Sequence, residues 1–311
     1  MTKGRGSSRP ARKGPLPPDG GPSIREFKYP NAPIKWIKRL DDDGREGNEA
    51  FVYHVRIESQ DYALKIFKFS NPKFNPFYWG TRLQDELPMK KAIFYTDPFY
   101  AECRAYGRIE DGRVDRDAKS PRVRQQIAVR CYGYLLLSSI DKYWLMGQGH
   151  DLEAGIMDSD VHDALDGDLR VRAIVKHLEK GPKTLDERNI RRAWENVRLL
   201  NKSLKIYNMD IKANNFIGSR LVDFGSSWTE PHEILKYLDK AGKTVARGKR
   251  AKDRQNFNDM IEEEEIPTRL RVAPTSRHQL RSKGRAPWED RALPKRRRTT
   301  LEPASSCETS K

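Results

Sequence analysis

The fold is decided by one stretch of sequence, Asn208-Met209-Asp210-Ile211-Lys212-Ala213-Asn214-Asn215-Phe216-Ile217-Gly218-Ser219-Arg220-Leu221-Val222-Asp223-Phe224-Gly225. Asp210 is followed five positions later by Asn215, and Asp223 comes after a short apolar run. Mg²⁺ prefers hard oxygen ligands, which the amide of Asn215 and the carboxylate of Asp223 would supply. Asp210 and Lys212 add a carboxylate and an ammonium group to the same short segment.

The residues between Asn215 and Asp223 predict two very short strands joined by a Gly218-Ser219 turn of the tight hairpin kind. Such a hairpin would place Asn215 and Asp223 side by side. The alternative is an ordinary hairpin with solvated polar flanks. The tripeptide Asp223-Phe224-Gly225 alone is weak evidence for a functional site. Because it follows Asp210, Lys212 and Asn215 in order, the functional interpretation is favoured.

In this order the residues resemble the catalytic loop and the following Asp-Phe-Gly of protein kinases. The resemblance implies that Asp210 is the catalytic carboxylate, which would orient an attacking hydroxyl, and that Lys212 would balance charge on the transferred phosphoryl group. It also implies that Asn215 and Asp223 hold Mg²⁺ beside ATP. The His and Arg that precede the catalytic Asp in the family are Asn208 and Met209 here. The arginine that senses activation-loop phosphorylation is therefore missing.

A strand is predicted upstream at residues 61–68, where alternation places Ala63 and Lys65 on one face. The resemblance puts Ala63 beside adenine and directs Lys65 to the α- and β-phosphates. A half-buried strand with a solvent-reaching lysine is the alternative. A helix is predicted to start near Thr96 or Asp97, with Pro98 in its first turn. Glu102 on this helix is the implied partner of Lys65, and a solvated helix glutamate is the alternative.

The glycine-rich loop of kinases is only partly matched. When Gly-x-Gly-x-x-Gly-x-Val is anchored on Val52, its glycine positions fall on Arg45, Gly47 and Ala50. Gly47 and Val52 are therefore predicted to bind the nucleotide, with an incomplete grip on its phosphates. The acidic residues before Gly47 would repel phosphates if they pointed at them. Alone, the segment indicates only a strand–turn–strand hairpin.

The rest of the chain gives a coarser pattern. Strands are predicted at 34–40, 50–57, 127–137 and 171–179, and helices at 185–204, from Thr229 to a stop at Gly242, and at 253–266. Residues 69–96 and 138–170 have no clean period and are interpreted as insertions. In a kinase, backbone groups of His177–Glu179 would meet the adenine edge.

Charge divides the 311-residue chain, whose net charge is +16, into a body and two basic ends. Residues 1–28 hold seven Lys/Arg against two Asp/Glu, and residues 243–311 hold eighteen against ten. We predict a disordered basic arm at 1–28, a domain at 29–266 and a disordered basic tail at 267–311. Within the domain, the N-lobe covers about 34–180 and the C-lobe about 181–266.

Several classes of protein are disfavoured. The three cysteines have no paired spacing, which indicates a reducing compartment. No apolar run reaches membrane-spanning length and the first residues lack a signal core, so we expect neither a membrane protein nor a secreted one. The tails lack interleaved aromatics, so any nucleic-acid contact would be weak and non-specific. The cluster at 294–298 is of the nuclear-import type, and a random basic tail is its alternative.

The resemblance implies an α+β, two-lobed protein-kinase-like fold with a small antiparallel-sheet N-lobe and a reduced helical C-lobe. More narrowly, the chain resembles the fungal kinetochore Sim4 complex subunit family. The residues that carry this match are Ala63-Leu64-Lys65, Glu102-Cys103-Arg104-Ala105-Tyr106-Gly107, Arg130-Cys131-Tyr132-Gly133, Ala173-Ile174-Val175-Lys176 and Leu221-Val222-Asp223-Phe224. This resemblance implies a nuclear, kinetochore-associated protein with kinetochore or other nuclear protein partners.

Two functions remain open at this point. The first is an ATP- and Mg²⁺-binding protein with phosphotransfer activity, of the Ser/Thr type if active. The alternative is a pseudokinase, a non-catalytic kinase-fold scaffold subunit of a Sim4-type kinetochore complex, which the short C-lobe and incomplete glycine loop favour. The missing activation segment removes the usual platform for a peptide substrate, so ATP binding survives these departures better than protein phosphorylation does.

Overall fold

The structure, a computed structural model, describes residues 21–41, 49–73, 86–111, 127–153, 158–165, 169–181, 185–270 and 272. The chain divides into two units, 1–272 and 273–311, and every described residue belongs to the first. An antiparallel sheet occupies its N-terminal part and helices dominate its C-terminal part. This arrangement confirms the predicted α+β class, in which an antiparallel sheet precedes a helical part.

Five strands form the N-lobe sheet of the described residues: β1 (Lys35–Arg39), β2 (Ala50–Ile57), β3 (Gln60–Phe67), β4 (Cys131–Leu136) and β5 (Arg172–His177). Their order is β1-β2-β3-β5-β4, and every neighbouring pair is antiparallel. Strand β3 alternates as predicted, because Tyr62, Leu64 and Ile66 join the core on one face. The opposite face of β3 therefore presents Ala63 and Lys65.

The described residues also contain six α-helices, which are α1 (Met89–Thr96), α2 (Pro98–Asp111), α3 (Ser139–Gly147), α4 (Ser159–Ala164), α5 (Ile190–Lys202) and α6 (Lys240–Glu263). Four two-residue strands accompany them: β6 (Ile206–Tyr207), β7 (Phe216–Ile217), β8 (Arg220–Leu221) and β9 (Trp228–Thr229). Strand β6 pairs with β9, and β7 pairs with β8.

Helix α2 starts where the sequence predicts. The backbone N–H of Phe99 donates to Asp97 Oδ1 at 2.9 Å, which satisfies one of the unpaired donors of the first turn. Cys103 and Tyr106 are both buried, so the helix is covered on several sides. A polar side chain in the middle of α2, such as that of Glu102, must therefore form its hydrogen bonds and ion pairs inside the protein.

Helix α6 differs from the prediction. The sequence indicated one helix that stops at Gly242 and another at 253–266, but α6 is continuous from Lys240 to Glu263. The predicted stop is wrong because Gly242 lies in the first turn of α6, where its N–H donates to Asp239 Oδ1 at 2.7 Å. Glycine is more common just after a helix end, and the sequence interpretation relied on that preference.

The two predicted insertions contain regular structure. Residues 69–96 include α1, and residues 138–170 include α3 and α4. Helix α3 escaped detection because its apolar residues do not mark an inward face: Ile140 is 81% exposed and Tyr143 is 72% exposed, while Leu145 is buried. The eight-residue α1 is too short to show a clear period.

The last residues of the predicted N-terminal arm pack against the sheet. Ile24 and Phe27 are buried, and Phe27 N–H donates to the carbonyl of Tyr134 at 2.7 Å. Tyr134 N–H in turn donates to the carbonyl of Arg25 at 3.0 Å. The packed body therefore begins before residue 28, because two large apolar residues anchor this segment. Residues 1–20 of the arm lie outside the described residues.

Two glycines make room for this segment. A Cβ at Gly107 would lie 2.5 Å from the backbone nitrogen of Ser23, which is closer than such atoms approach. At Gly133, φ is +133° and a Cβ would lie 2.5 Å from the carbonyl oxygen of Arg25. Only glycine suits both positions. The close backbone approach fixes residues 23–25 against α2 and β4.

The body also extends past the predicted boundary at 266. Val272 is buried, and its N–H and carbonyl both pair with the side chain of Asn258, at 3.3 and 3.2 Å. The predicted basic tail beyond Val272, with its cluster at 294–298, lies outside the described residues.

Two cysteines, Cys103 and Cys131, are free thiols inside the core, and burial raises the pKa of both, that of Cys131 to about 12. Cys307 lies outside the described residues. Among the helices that the structure describes, none combines the length and apolar character needed to cross a bilayer.

The N-terminal segment yields a prediction. Phe27→Ala should lower the free energy of unfolding by about 3–5 kcal/mol, because it empties a buried aromatic site. The melting temperature should fall by roughly 10 °C, and a chain starting at Tyr29 should lose at least as much. Glu26→Ala, which changes an exposed neighbour, is the control. A melting temperature that the truncation leaves unchanged would contradict the packing of residues 21–28.

Candidate functional site

Two buried side chains from different elements meet at the centre of the site. Lys65 of β3 donates from Nζ to Glu102 Oε2 at 2.8 Å, and Glu102 of α2 is fully buried. A buried carboxylate destabilises a protein by several kcal/mol unless it is paired. The ion pair therefore fixes the position of α2 against β3, and Glu102 is the partner that the sequence predicted for Lys65.

Asp223 also contacts Lys65. Its Oδ1 accepts from Lys65 Nζ at 2.7 Å and from the N–H of Gly225 at 2.8 Å. Desolvation would raise the pKa of Asp223, but the nearby charges of Lys65 and Lys176 lower it well below its usual value. The next residue, Phe224, is buried against Tyr106 of α2, with 5.1 Å between ring centroids. Asp223 is thus ionised and held toward the interlobe centre.

The predicted hairpin is present as β7–β8, with Gly218 at φ +58° in its turn. Beyond the strands, the N–H of Val222 donates to the carbonyl of Asn215 at 3.0 Å. Asn215 and Asp223 consequently flank the open end of the hairpin, as predicted.

Asp210, Lys212 and Asn215 form a connected group. Asn215 Nδ2 donates to the carbonyl of Asp210 at 2.7 Å and to its Oδ2 at 3.0 Å. Lys212 Nζ lies 2.8 Å from the same Oδ2. The side chains of Asp210 and Lys212 are 40% and 49% exposed, so a hydroxyl-bearing molecule has access to both.

Asp253 of α6 binds the backbone of the loop at Asn208 and Met209, and it was not identified from the sequence. It is completely buried and accepts from the backbone N–H of Asn208 at 2.7 Å, from that of Met209 at 2.6 Å, and from Asn201 Nδ2 at 2.8 Å. Met209 has φ +63°, an uncommon conformation for a residue other than glycine, and the bond to Asp253 stabilises it. The available signal was an acid on the apolar face that also carries Phe257.

Asn208 connects this loop to Asp210 and to Asp223 through its side chain. Its Oδ1 accepts from the N–H of Asp210 at 3.1 Å, and its Nδ2 donates to the carbonyl of Asp223 at 2.6 Å. Asn208 stands where kinases have histidine, and its side chain has hydrogen-bonding groups that connect the two acidic segments.

Lys176 of β5 is a second residue that sequence reasoning missed. Its Nζ donates to Glu102 Oε1 and to the carbonyl of Val222, the latter at 2.7 Å. Its side chain is 7% exposed. The sequence interpretation treated this strand as a run that leads into the adenine-contacting backbone. A lysine directly after the apolar run Ala173-Ile174-Val175 was the overlooked signal.

The part of the site that contains the predicted glycine loop is only partly described. Gly47 lies outside the described residues. Val52 pairs with Lys65, and Ala63 pairs with Lys176, so both of these predicted nucleotide-binding residues lie on strands beside the central lysines. Their roles in binding stay predictions.

Glu49 faces the site from the end of the predicted glycine loop. A Cβ built on Gly225 would lie 3.7 Å from Glu49 Oε2 and 3.3 Å from Asp223 Oδ1, so the two carboxylates are neighbours. Desolvation is the main cause of a raised pKa at Glu49, and the charge of Asp223 adds to it. Glu49 is therefore a second carboxylate beside Asp223, and sequence reasoning did not single it out.

The donor set fits a nucleotide bound with Mg²⁺. Within the described residues, Asn215 Oδ1 and Asp223 Oδ2 accept no hydrogen bond, so both oxygens are available to a hard cation. The same part of the chain has no cluster of three or more His, Cys, Asp or Glu that could hold a metal. A cation at these two oxygens would need further ligands from phosphates and water.

Comparison with known proteins adds a family. The sequence model of "Kinetochore Sim4 complex subunit FTA2" matches residues 13–228 of this chain. A search of curated proteins finds no match. A solved structure of vaccinia related kinase 3 is similar over 67% of this chain, with 13% sequence identity and a TM-score of 0.33. The chain spans about half of that protein, 52% of its length.

The support from Asp253 is testable. Asp253→Asn should lower the free energy of unfolding by about 3 kcal/mol, because the amide cannot accept every hydrogen bond that the carboxylate accepts. Urea denaturation measures the loss, and hydrogen exchange should show weaker protection of the Met209 amide. Asp259→Asn, at an exposed position of the same helix, is the matched control. Equal stability of the two variants would contradict the assigned role.

Proposed function

Because the chain belongs to the kinetochore Sim4 complex subunit FTA2 family, we propose that it is a kinase-fold scaffold subunit of a kinetochore complex and that it binds ATP with Mg²⁺. The observation that carries the nucleotide part is Lys65, which lies 2.8 Å from Glu102 and 2.7 Å from Asp223. Protein kinases require a lysine–glutamate ion pair beside an aspartate that can hold Mg²⁺, and Lys65, Glu102 and Asp223 would supply these groups.

The residues divide the task of binding among them. Lys65 would contact the α- and β-phosphates, Asn215 and Asp223 would hold the cation, and Val52 and Ala63 would border the adenine. The cation would neutralise phosphate charge between the acidic groups of the site. Glu49 and Asp223 lie together on the phosphate side, so binding of the nucleotide without a cation should be poor.

The short segment after Gly225 in the C-lobe favours a scaffold over an enzyme that phosphorylates peptides. Two residues, Ser226 and Ser227, separate Gly225 from strand β9, which pairs at once with β6. The chain has no long loop here on which a peptide substrate could lie. Ser227 and Thr229 are buried, so phosphorylation cannot readily reach them.

Phosphotransfer is the second candidate function. It is favoured by the exposed pair of Asp210 and Lys212, 2.8 Å apart, beside the proposed cation ligands. The carboxylate would accept a hydroxyl proton, and the lysine would balance phosphoryl charge. Turnover of ATP by the purified chain, beside an Asp210→Asn variant, separates this function from binding alone.

The proposed location is the nucleus, at the kinetochore of a fungal cell, and the proposed partners are other proteins of the complex. The basic ends of the chain would add weak, salt-sensitive contact with nucleic acid. Immunofluorescence with a centromere marker tests the location, and co-purification with tagged kinetochore subunits tests the partnership.

Binding of the nucleotide gives the first test. Calorimetric titration of the purified chain with ATP and Mg²⁺ should show saturable binding, and excess chelator should remove it. Asp223→Ala should weaken binding by at least about tenfold, because it removes a cation ligand. Asp259→Ala, far along α6, should bind as the wild type does. Comparable affinities for all three proteins would reject the site.

Glu49 gives a second, independent test. Glu49→Gln should raise the affinity for ATP in the absence of metal about three- to tenfold, because it removes a carboxylate beside Asp223. The gain should shrink when Mg²⁺ is present. Glu58→Gln, in the exposed β2–β3 turn, is the control. A lower metal-free affinity in Glu49→Gln would show that this carboxylate does not oppose the phosphates.

A further inference from the structure

Glu102 is bound by two lysines rather than one. Lys65 of β3 contacts its Oε2 at 2.8 Å, and Lys176 of β5 contacts its Oε1. All three side chains are at most 8% exposed. Lys176 also donates to the carbonyl of Val222 at 2.7 Å, directly before Asp223. It therefore connects helix α2 with the segment that leads to the proposed cation ligand.

Lys176 is the second of two cations that contact the group formed by Glu102, Lys65 and Asp223. Glu102 and Asp223 carry two negative charges, and Lys65 and Lys176 carry two positive ones. Lys65 lies almost equally close to the two carboxylates, at 2.8 and 2.7 Å. If Lys176 were absent, Lys65 alone would have to neutralise both Glu102 and Asp223.

A second ion pair joins the same two elements. Arg172 of β5 contacts Asp97, the capping residue of α2, at 3.0 Å, and both side chains are buried. Arg172 and Lys176 are four residues apart on one strand, so both side chains lie on the same face of β5. Helix α2 is thus tied to β5 at its start and again at Glu102.

We propose that Lys176 is a positioning residue that holds Glu102, and with it helix α2, in place independently of Lys65. Lys65 is thereby left free to exchange its contact with Asp223 for phosphate oxygens. Only this last clause rests on the proposed nucleotide binding. The contact with Val222 makes Lys176 a determinant of where Asp223 lies as well.

The experiment compares Lys176→Met with Lys65→Met, first without nucleotide. Lys176→Met should lower the melting temperature by on the order of 10 °C, because Glu102 would then pair only with Lys65, which it shares with Asp223. Lys65→Met should lower it by less than half as much, since Lys176 still pairs with Glu102. Hydrogen exchange of α2 amides should quicken in Lys176→Met and stay near wild type in Lys65→Met.

The combination with Glu102→Gln separates pairing from simple packing. In a Glu102→Gln background, Lys176→Met should produce less than half of its effect on the melting temperature, because its carboxylate partner is gone. Lys176→Arg keeps the cation and should retain most of the stability and α2 protection. Lys180→Met, at an exposed lysine after β5, is the matched control.

The nucleotide readout is kept apart from these measurements. Lys176→Met should bind ATP with Mg²⁺ about tenfold more weakly, and the Glu102→Gln background should remove most of that loss. A wild type that binds no nucleotide would reject the proposed function but leave the stability comparison decisive. Additive effects of Lys176→Met and Glu102→Gln, or equal α2 exchange in both lysine variants, would overturn the proposal. If Lys176→Met does not fold, the Lys176→Arg and Lys176→Met/Glu102→Gln proteins decide it.

Discussion

The structure depends on the burial of one carboxylate, Glu102, between the sheet and helix α2. A buried charge is tolerated only where cations and hydrogen bonds replace its water, and Lys65 and Lys176 meet that requirement from two strands. The positions of α2, β3 and β5 are consequently fixed by the same ionic group. The segment that ends at Asp223 is included, because both lysines also contact it.

The C-lobe contains a second buried carboxylate, that of Asp253, which also needs partners inside the protein. Asp253 binds the backbone of the loop at Asn208 and Met209, and Asn208 then contacts the backbone of Asp223. The loop geometry is therefore set by contacts from α6. A site held by buried, permanent contacts has little need of a phosphorylation switch, which agrees with the proposed scaffold function.

Local patterns predicted much of this molecule. Alternation placed Ala63 and Lys65 on one face of β3, Asp97-Pro98 marked the start of α2, and the short turn at Gly218 predicted the hairpin. The roles of Asp253 and Lys176 were not predicted because they depend on residues far away in the sequence. Asp253 lies 44 residues from Met209, and Lys176 lies 74 residues from Glu102. Helix α3 escaped for another reason, since its exposed apolar residues hide the inward face on which a helical pattern relies.

The two buried thiols have a consequence for chemistry rather than for folding. Cys103 lies on α2 and Cys131 on the neighbouring strand β4, and burial keeps both in the unreactive protonated form at neutral pH. An alkylating reagent reaches them only when the helix separates from the sheet. The rate of their alkylation therefore measures how often this native protein opens, with a probe that its own sequence already contains.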